Sequence, residues 1–295
     1  MKNNVLKGGL LVALGASSYG VLTTFVKMAY EKGFTTYEVT FAQLLLGVLG
    51  LTLLSSIYKG KKQKKEGETS KFKLLLAGTS LGLTSIFYYL AVQYISVSMG
   101  IVLLMQSVWI GVILDSILTK SKPSPMKIIA VLVILTGTLL ATNLIFQDIT
   151  FDLRGIGYGL LAACSYTVTI YTSNTVSLGL PALERSKYMV IGGLLIVSLI
   201  TLPSFIVNKN FNVEVFYLWG PILALFGTIL PPLFLTTGMP KLNVGLGVII
   251  TSIELPVAVL MAKFLLDESV NAWQWLGIVF ILTAIVLMNL RKLNK

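Results

Sequence analysis

Glu254-Leu255-Pro256 is the stretch of this sequence best suited to chemistry. The acid sits mid-way along an apolar run from 241 to 266. At the centre of a bilayer a charged side chain costs about 2.5–3.5 kcal/mol even on a lenient scale, so an acid there is a functional candidate. Proline has no N–H, so Pro256 should leave the carbonyl of Ser252 without its helical partner. Gly247, Thr251 and Glu254 share one helical face at i, i+4 and i+7. A carboxylate beside a freed carbonyl can take a proton, a cation or a substrate ammonium. The alternative is a structural acid hydrogen-bonded to a neighbouring helix.

Other polar residues recur at helical spacing within apolar runs. Ser165, Thr169 and Thr172 form a stripe with Tyr166 beside it. Ser18 and Tyr19 follow Gly15, Thr84-Ser85 precede Tyr88 and Tyr89, and Gln106 and Trp109 flank Ser107. Small residues and hydroxyls are also what helices use to pack against one another. As a set, with Thr251, Ser252 and Glu254, they suggest a moderately polar, aromatic-lined cavity. Pro231-Pro232 should bend their run, and Pro256 its own. Gly78-Thr79-Ser80-Leu81-Gly82 fits the nucleophile-elbow pattern, but that motif needs a strand–turn–helix and a histidine partner. The chain has no histidine, so this stretch is read as a close-packing helix face. No metal site, cofactor motif or catalytic residue is expected.

The elements that must position these residues follow from composition. The chain has 295 residues, 55% hydrophobic and 12% charged, against about 25% charged in a soluble domain. Lipid must be the solvent for most of it. Ten apolar runs reach the roughly 20 residues needed to cross a bilayer as helix: 8–29, 37–58, 72–94, 95–119, 126–146, 154–176, 183–207, 214–238, 241–266 and 272–291. They lack the period-two alternation of barrel strands. The first is read as a span, not a signal peptide, because it outlasts a typical h-region and the pattern recurs. The +11 charge sits in short loops, which points away from nucleic acid. With the N-terminus inside, Lys32, Arg154 and Lys209 fall outside, Lys27 and Lys263 lie in spans, and the other 18 of 23 Lys and Arg fall inside. The positive-inside rule then makes both termini cytoplasmic. The loop from Lys59 to Lys73, with seven lysines, is read as a topology anchor. Lys27, Glu38, Glu184, Arg185 and Lys263 lie near span ends, where they are expected to snorkel. Asp115 is about one turn from the end of its span.

Shifted by 147 residues, the sequence matches itself. Ala16-Ser17-Ser18-Tyr19 falls on Ala163-Cys164-Ser165-Tyr166, Val97 and Gly100 on Val244 and Gly247, and Leu135-Thr136 on Leu282-Thr283. Residues 1–147 and 148–295 are thus two five-helix units. Five is odd, so the second unit enters the membrane inverted. The expected fold is all-α and membrane-integral, ten spans in a 5+5 inverted-topology repeat, an architecture common among secondary transporters.

On these residues the chain resembles the drug/metabolite transporter superfamily, of the EamA-domain type. Ala16, Tyr19, Gly20 and Lys27 match the first helix of an EamA unit, with Tyr19 in place of the usual tryptophan. Glu254-Leu255-Pro256 resembles the fourth-helix motif, Glu268 the acid that follows, and Trp275-Leu276-Gly277 the start of the fifth. In the first half Ser107, Trp109 and Ser121 replace the Glu, Pro and acid. The resemblance implies a cavity lined by spans 1, 3, 4, 6, 8 and 9, with 5 and 10 peripheral. It implies export of small metabolites, amino acids or toxic compounds, often proton-linked. The expectation is therefore a multi-pass inner-membrane carrier, monomer or homodimer. It would move a small organic molecule by alternating access, with Glu254 as the coupling candidate. A passive channel is the alternative.

Overall fold

The computed structural model describes residues 2–58, 69–146, 152–208 and 211–293. Residues 59–68 of the lysine-rich loop, and Asp148, Lys209 and Lys295, lie outside the described residues. Every regular element among those described is helical. In chain order these are α1 (Lys2–Glu31), α2 (Thr36–Ile57), α3 (Lys71–Val92), α4 (Val97–Leu104), α5 (Ser107–Thr119), α6 (Pro125–Ala141) and α7 (Leu153–Thr175). They continue as α8 (Ala182–Asn208), α9 (Val215–Leu218), α10 (Gly220–Ala224), α11 (Leu230–Gly238), α12 (Val244–Thr251), α13 (Glu254–Leu265) and α14 (Ala272–Leu293).

Seven helical stretches among the described residues are long and apolar enough to cross a membrane, with α4–α5, α10–α11 and α12–α13 each counting as one. Pro125–Ala141 and Ala272–Met288 are shorter apolar helices. α7 is long enough, but its hydroxyl stripe makes it more polar. Large apolar side chains such as Leu53, Phe72, Ile117, Leu199 and Phe264 are exposed on the outside, as a lipid-facing surface requires.

Residues 147 apart occupy equivalent places. Ser96 and Asn243 cap α4 and α12 by accepting from Met99 N at 3.2 Å and Leu246 N at 2.9 Å. Ser124 and Asn271 likewise cap α6 and α14. Such side-chain caps satisfy amides that have no partner within the helix.

The fourth and ninth spans are each broken, where one continuous helix was expected. α4 stops at Leu104 and α5 begins at Ser107; α12 stops at Thr251 and α13 begins at Glu254, the same register. Proline does not explain both, since only the second break is followed by one. Back-bonding side chains occupy carbonyls at each: Gln106 Nε2 donates to Val102 O at 2.9 Å, Ser252 Oγ to Ile249 O at 2.7 Å. Such bonds compete with the helical ladder. Pro256 falls in the first turn of α13, where a missing N–H is harmless. The Ser252 carbonyl is not free as expected, because Leu255 N donates to it at 3.3 Å.

The eighth span is irregular too. A π-helical turn, Leu225–Ile229, precedes Pro231 and Pro232 at the start of α11. Widening the helix there accommodates two consecutive residues that cannot donate.

Close packing holds the bundle. A Cβ on Gly78 would lie 2.6 Å from Met189 Cα, and one on Gly192 would lie 3.1 Å from Gly78 Cα. α3 and α8 therefore meet backbone to backbone, and the Gly78–Gly82 stretch is the packing face anticipated above. Arg185 does not snorkel. It is buried, donating to Ser173 O at 2.7 Å, Thr236 O at 2.8 Å and Val176 O at 3.0 Å. Those carbonyls at the ends of α7 and α11 supply the solvation water would have given. Glu38 is buried in a capping box with Thr35, and Asp115 is buried against Lys127 Nζ at 2.6 Å.

Candidate functional site

A cavity of about 480 Å3 lies between the two halves, with Glu254 in its wall. Eight of the expected residues line it: Tyr19, Thr84, Ser85, Tyr88, Tyr89, Tyr166, Thr169 and Glu254. Glu254 is the first residue of α13, where the helix dipole favours negative charge. Gly20 lets α1 approach it: a Cβ there would lie 2.9 Å from Val257 Cβ. Tyr166 OH donates to Glu254 Oε2 at 3.3 Å, and the Tyr19 and Tyr166 rings meet edge-on at 6.3 Å. Tyr88 meets Tyr89 at 5.9 Å, and Tyr89 meets Tyr30 at 6.4 Å. Aromatic faces thus run along the cavity beside the carboxyl group.

The other expected residues do not line it. Ser165 Oγ donates to Ser80 O at 2.9 Å, tying α7 to α3. Thr251 Oγ1 and Ser252 Oγ bond carbonyls of their own helix. Gln106 is tied to Val102 O and accepts from Trp109 Nε1 at 2.8 Å, and Trp109 faces outward, 38% exposed. Ser18 and Ser107 are buried; the Ser107 carbonyl accepts from Thr167 Oγ1 at 3.4 Å. Pro231 and Pro232 are buried beside the π turn, and Pro256 is buried in α13. These residues serve packing and helix breaks.

Sequence reasoning missed Tyr30 and Gln43, both in the wall. Gln43 had a signal: it is the one amide side chain in the 37–58 run. The six spans expected around the cavity all contribute, the eighth through Gly227. The second span adds Gln43, and the fifth and tenth reach the rim through Ala141 and Gln274. Also at the rim, Lys27 pairs with Glu268, both exposed. Lys27 was expected only to snorkel; instead it joins two positions 241 residues apart.

The opposite end is shut where α5 packs on α12. A Cβ on Gly111 would lie 2.8 Å from Val248 Cγ2, and one on Gly245 would lie 2.7 Å from Asp115 Oδ2. Their counterparts 147 residues away, Ala258 with Ile101 and Ala262 with Ser98, all line the open cavity. Gly8 and its counterpart Gly155 behave differently. Gly8 meets Gly238, Lys241 and Leu242, and Gly155 meets Ala91, Tyr94 and Ile95, the matching residues. The halves are alike at these contacts and differ where the fourth and ninth spans meet.

The profile described as EamA-like transporter family matches residues 6–143 and again 153–290. The chain belongs to the EamA-like transporter family. It is a membrane transporter of the drug/metabolite superfamily, and each match spans one half of the cavity wall. A solved crystal structure of a protein shares the fold, with TM-score 0.75 over 98% of each chain at 13% identity. No curated protein matches this EamA-like transporter.

Proposed function

We propose that this EamA-like transporter is a ten-span secondary carrier that exports a small organic metabolite by alternating access. Its units are 1–147 and 148–295, inverted relative to one another, with both termini in the cytoplasm of an inner membrane. One observation carries the reading: a cavity of about 480 Å3, walled by both halves, opens at the Lys27–Glu268 rim and is shut at the other end by α5 on α12. In the proposed orientation this is an outward-open state. Exchanging the roles of the fourth and ninth spans would close α4 on α13 and open the cytoplasmic end. Glu254, the acid in the cavity wall away from the rim, is the proposed proton-coupling or substrate-ammonium residue.

The reading is tested in proteoliposomes with a ligand first found by thermal shift, since binding stabilises the folded state. In counterflow a carrier trades labelled for unlabelled substrate and transiently concentrates the label. Vesicles that equilibrate label without that overshoot would identify a passive channel.

A further inference from the structure

The geometry points to Gln43 as a substrate-recognising residue, paired with Glu254 to select amine-bearing organic solutes that carry a second hydrogen-bonding group. The inference rests on the carrier reading of the cavity and names its substrate class. Gln43 is 6% exposed, lines the cavity, and its Oε1 is buried with no partner among the described residues. No hydrogen bond of its carboxamide nitrogen is formed among them either. A buried amide left unpaired is costly, and native structures seldom keep one without use for it.

Its surroundings are built to hold it there. The π turn docks on α2, with Thr228 Oγ1 donating to the Gln43 carbonyl at 2.9 Å. Within that turn Gly227 makes room: a Cβ would lie 2.7 Å from Gln43 Cδ and 2.9 Å from Leu22 Cδ2. π turns recur at functional sites, and this one sets the carboxamide into the wall.

The rest of the wall decides the ligand's charge. Glu254 is an acid, the five tyrosines offer aromatic faces that attract cations, and the one basic lining residue, Lys27, is at the rim and paired with Glu268. An anion would find no free cation among the described lining residues. An ammonium would find Glu254 and aromatic faces, and a neighbouring hydroxyl or amide would find Gln43.

The test is a thermal-shift titration of the full chain with three probes of similar size: 2-phenylethylamine, phenylalaninol and 3-phenylpropanoate. Wild type should be stabilised by both amines, more tightly by phenylalaninol, and not by the carboxylate. In Gln43→Met phenylalaninol affinity should fall about fivefold, the loss of one hydrogen bond, and the preference for it over 2-phenylethylamine should vanish. The unliganded Tm should hold or rise, because an orphan amide is gone. Gly227→Ala, which displaces the carboxamide, should produce the same loss and serves if Gln43→Met does not fold. Phenylalaninol affinity within twofold of wild type in both variants would overturn the role of Gln43. Failure of both amines to bind wild type would overturn the substrate class. Counterflow by wild type that persists through either result leaves the carrier reading standing, so the two failures are distinct.

Discussion

Glu254 holds a place in the bundle that no other acid among the described residues shares. Hydropathy alone exposes it, because a carboxyl in an apolar run is rare. The sequence also yields Tyr19, Tyr88 and Tyr166 around it. It does not separate Ser165, Thr251 and Ser252, which lie off the cavity, from Thr84 and Thr169, which line it, since all five hydroxyls donate to carbonyls. That difference depends on rotation of each helix by a fraction of a turn. Glu254→Gln preserves shape, so Tm should change little. Accumulation of substrate against an imposed pH gradient should be lost while exchange persists, because exchange need not release a proton. Equal accumulation with an unchanged pH profile would make Glu254 structural. Tyr88→Ala should lower transport without lowering membrane abundance, read by uptake beside a blot. Transport at the wild-type rate would remove Tyr88 from the ligand's path.

Among the elements, α3 and α8 depend on glycine for their approach. A larger side chain at Gly78 meets backbone, which cannot yield as a flexible side chain would. Gly78→Val should destabilise by about 2 kcal/mol or more, visible as a lower Tm in detergent. An unchanged Tm would show that the helices can separate freely. The apolar runs announce their helices, but the breaks at Met105–Gln106 and Ser252–Ile253 were not legible. At each break a side chain bonds its own backbone, in two unlike sequences, Gln106 in one half and Ser252 in the other. The proline that drew attention, Pro256, lies just past the break.

For the whole molecule, the offset of 147 was legible because equivalent helices keep equivalent caps and glycines. The state of the cavity was not, because an inverted repeat encodes both ends alike. Only the structure distinguishes α5 against α12, in contact, from α4 and α13, which stand apart around the cavity. The proposed orientation predicts that cysteines at Asp148 and Lys209 label from outside in intact cells and one at Lys295 does not. Labelling of the loop from Lys59 to Lys73 from outside would reverse the topology.

The central claim is that closure passes between equivalent pairs. In a Cys164→Ser background, Ser98→Cys and Ala262→Cys place two thiols on facing walls of the cavity. They are the counterparts of Gly245 and Asp115, which touch at the closed end. Mild oxidation should cross-link them as α4 closes on α13. The cross-link should abolish counterflow, which reductant should restore, and a cavity cysteine at Thr84 should then label only from the cytoplasmic side. Failure of the pair to cross-link while counterflow proceeds would contradict the account.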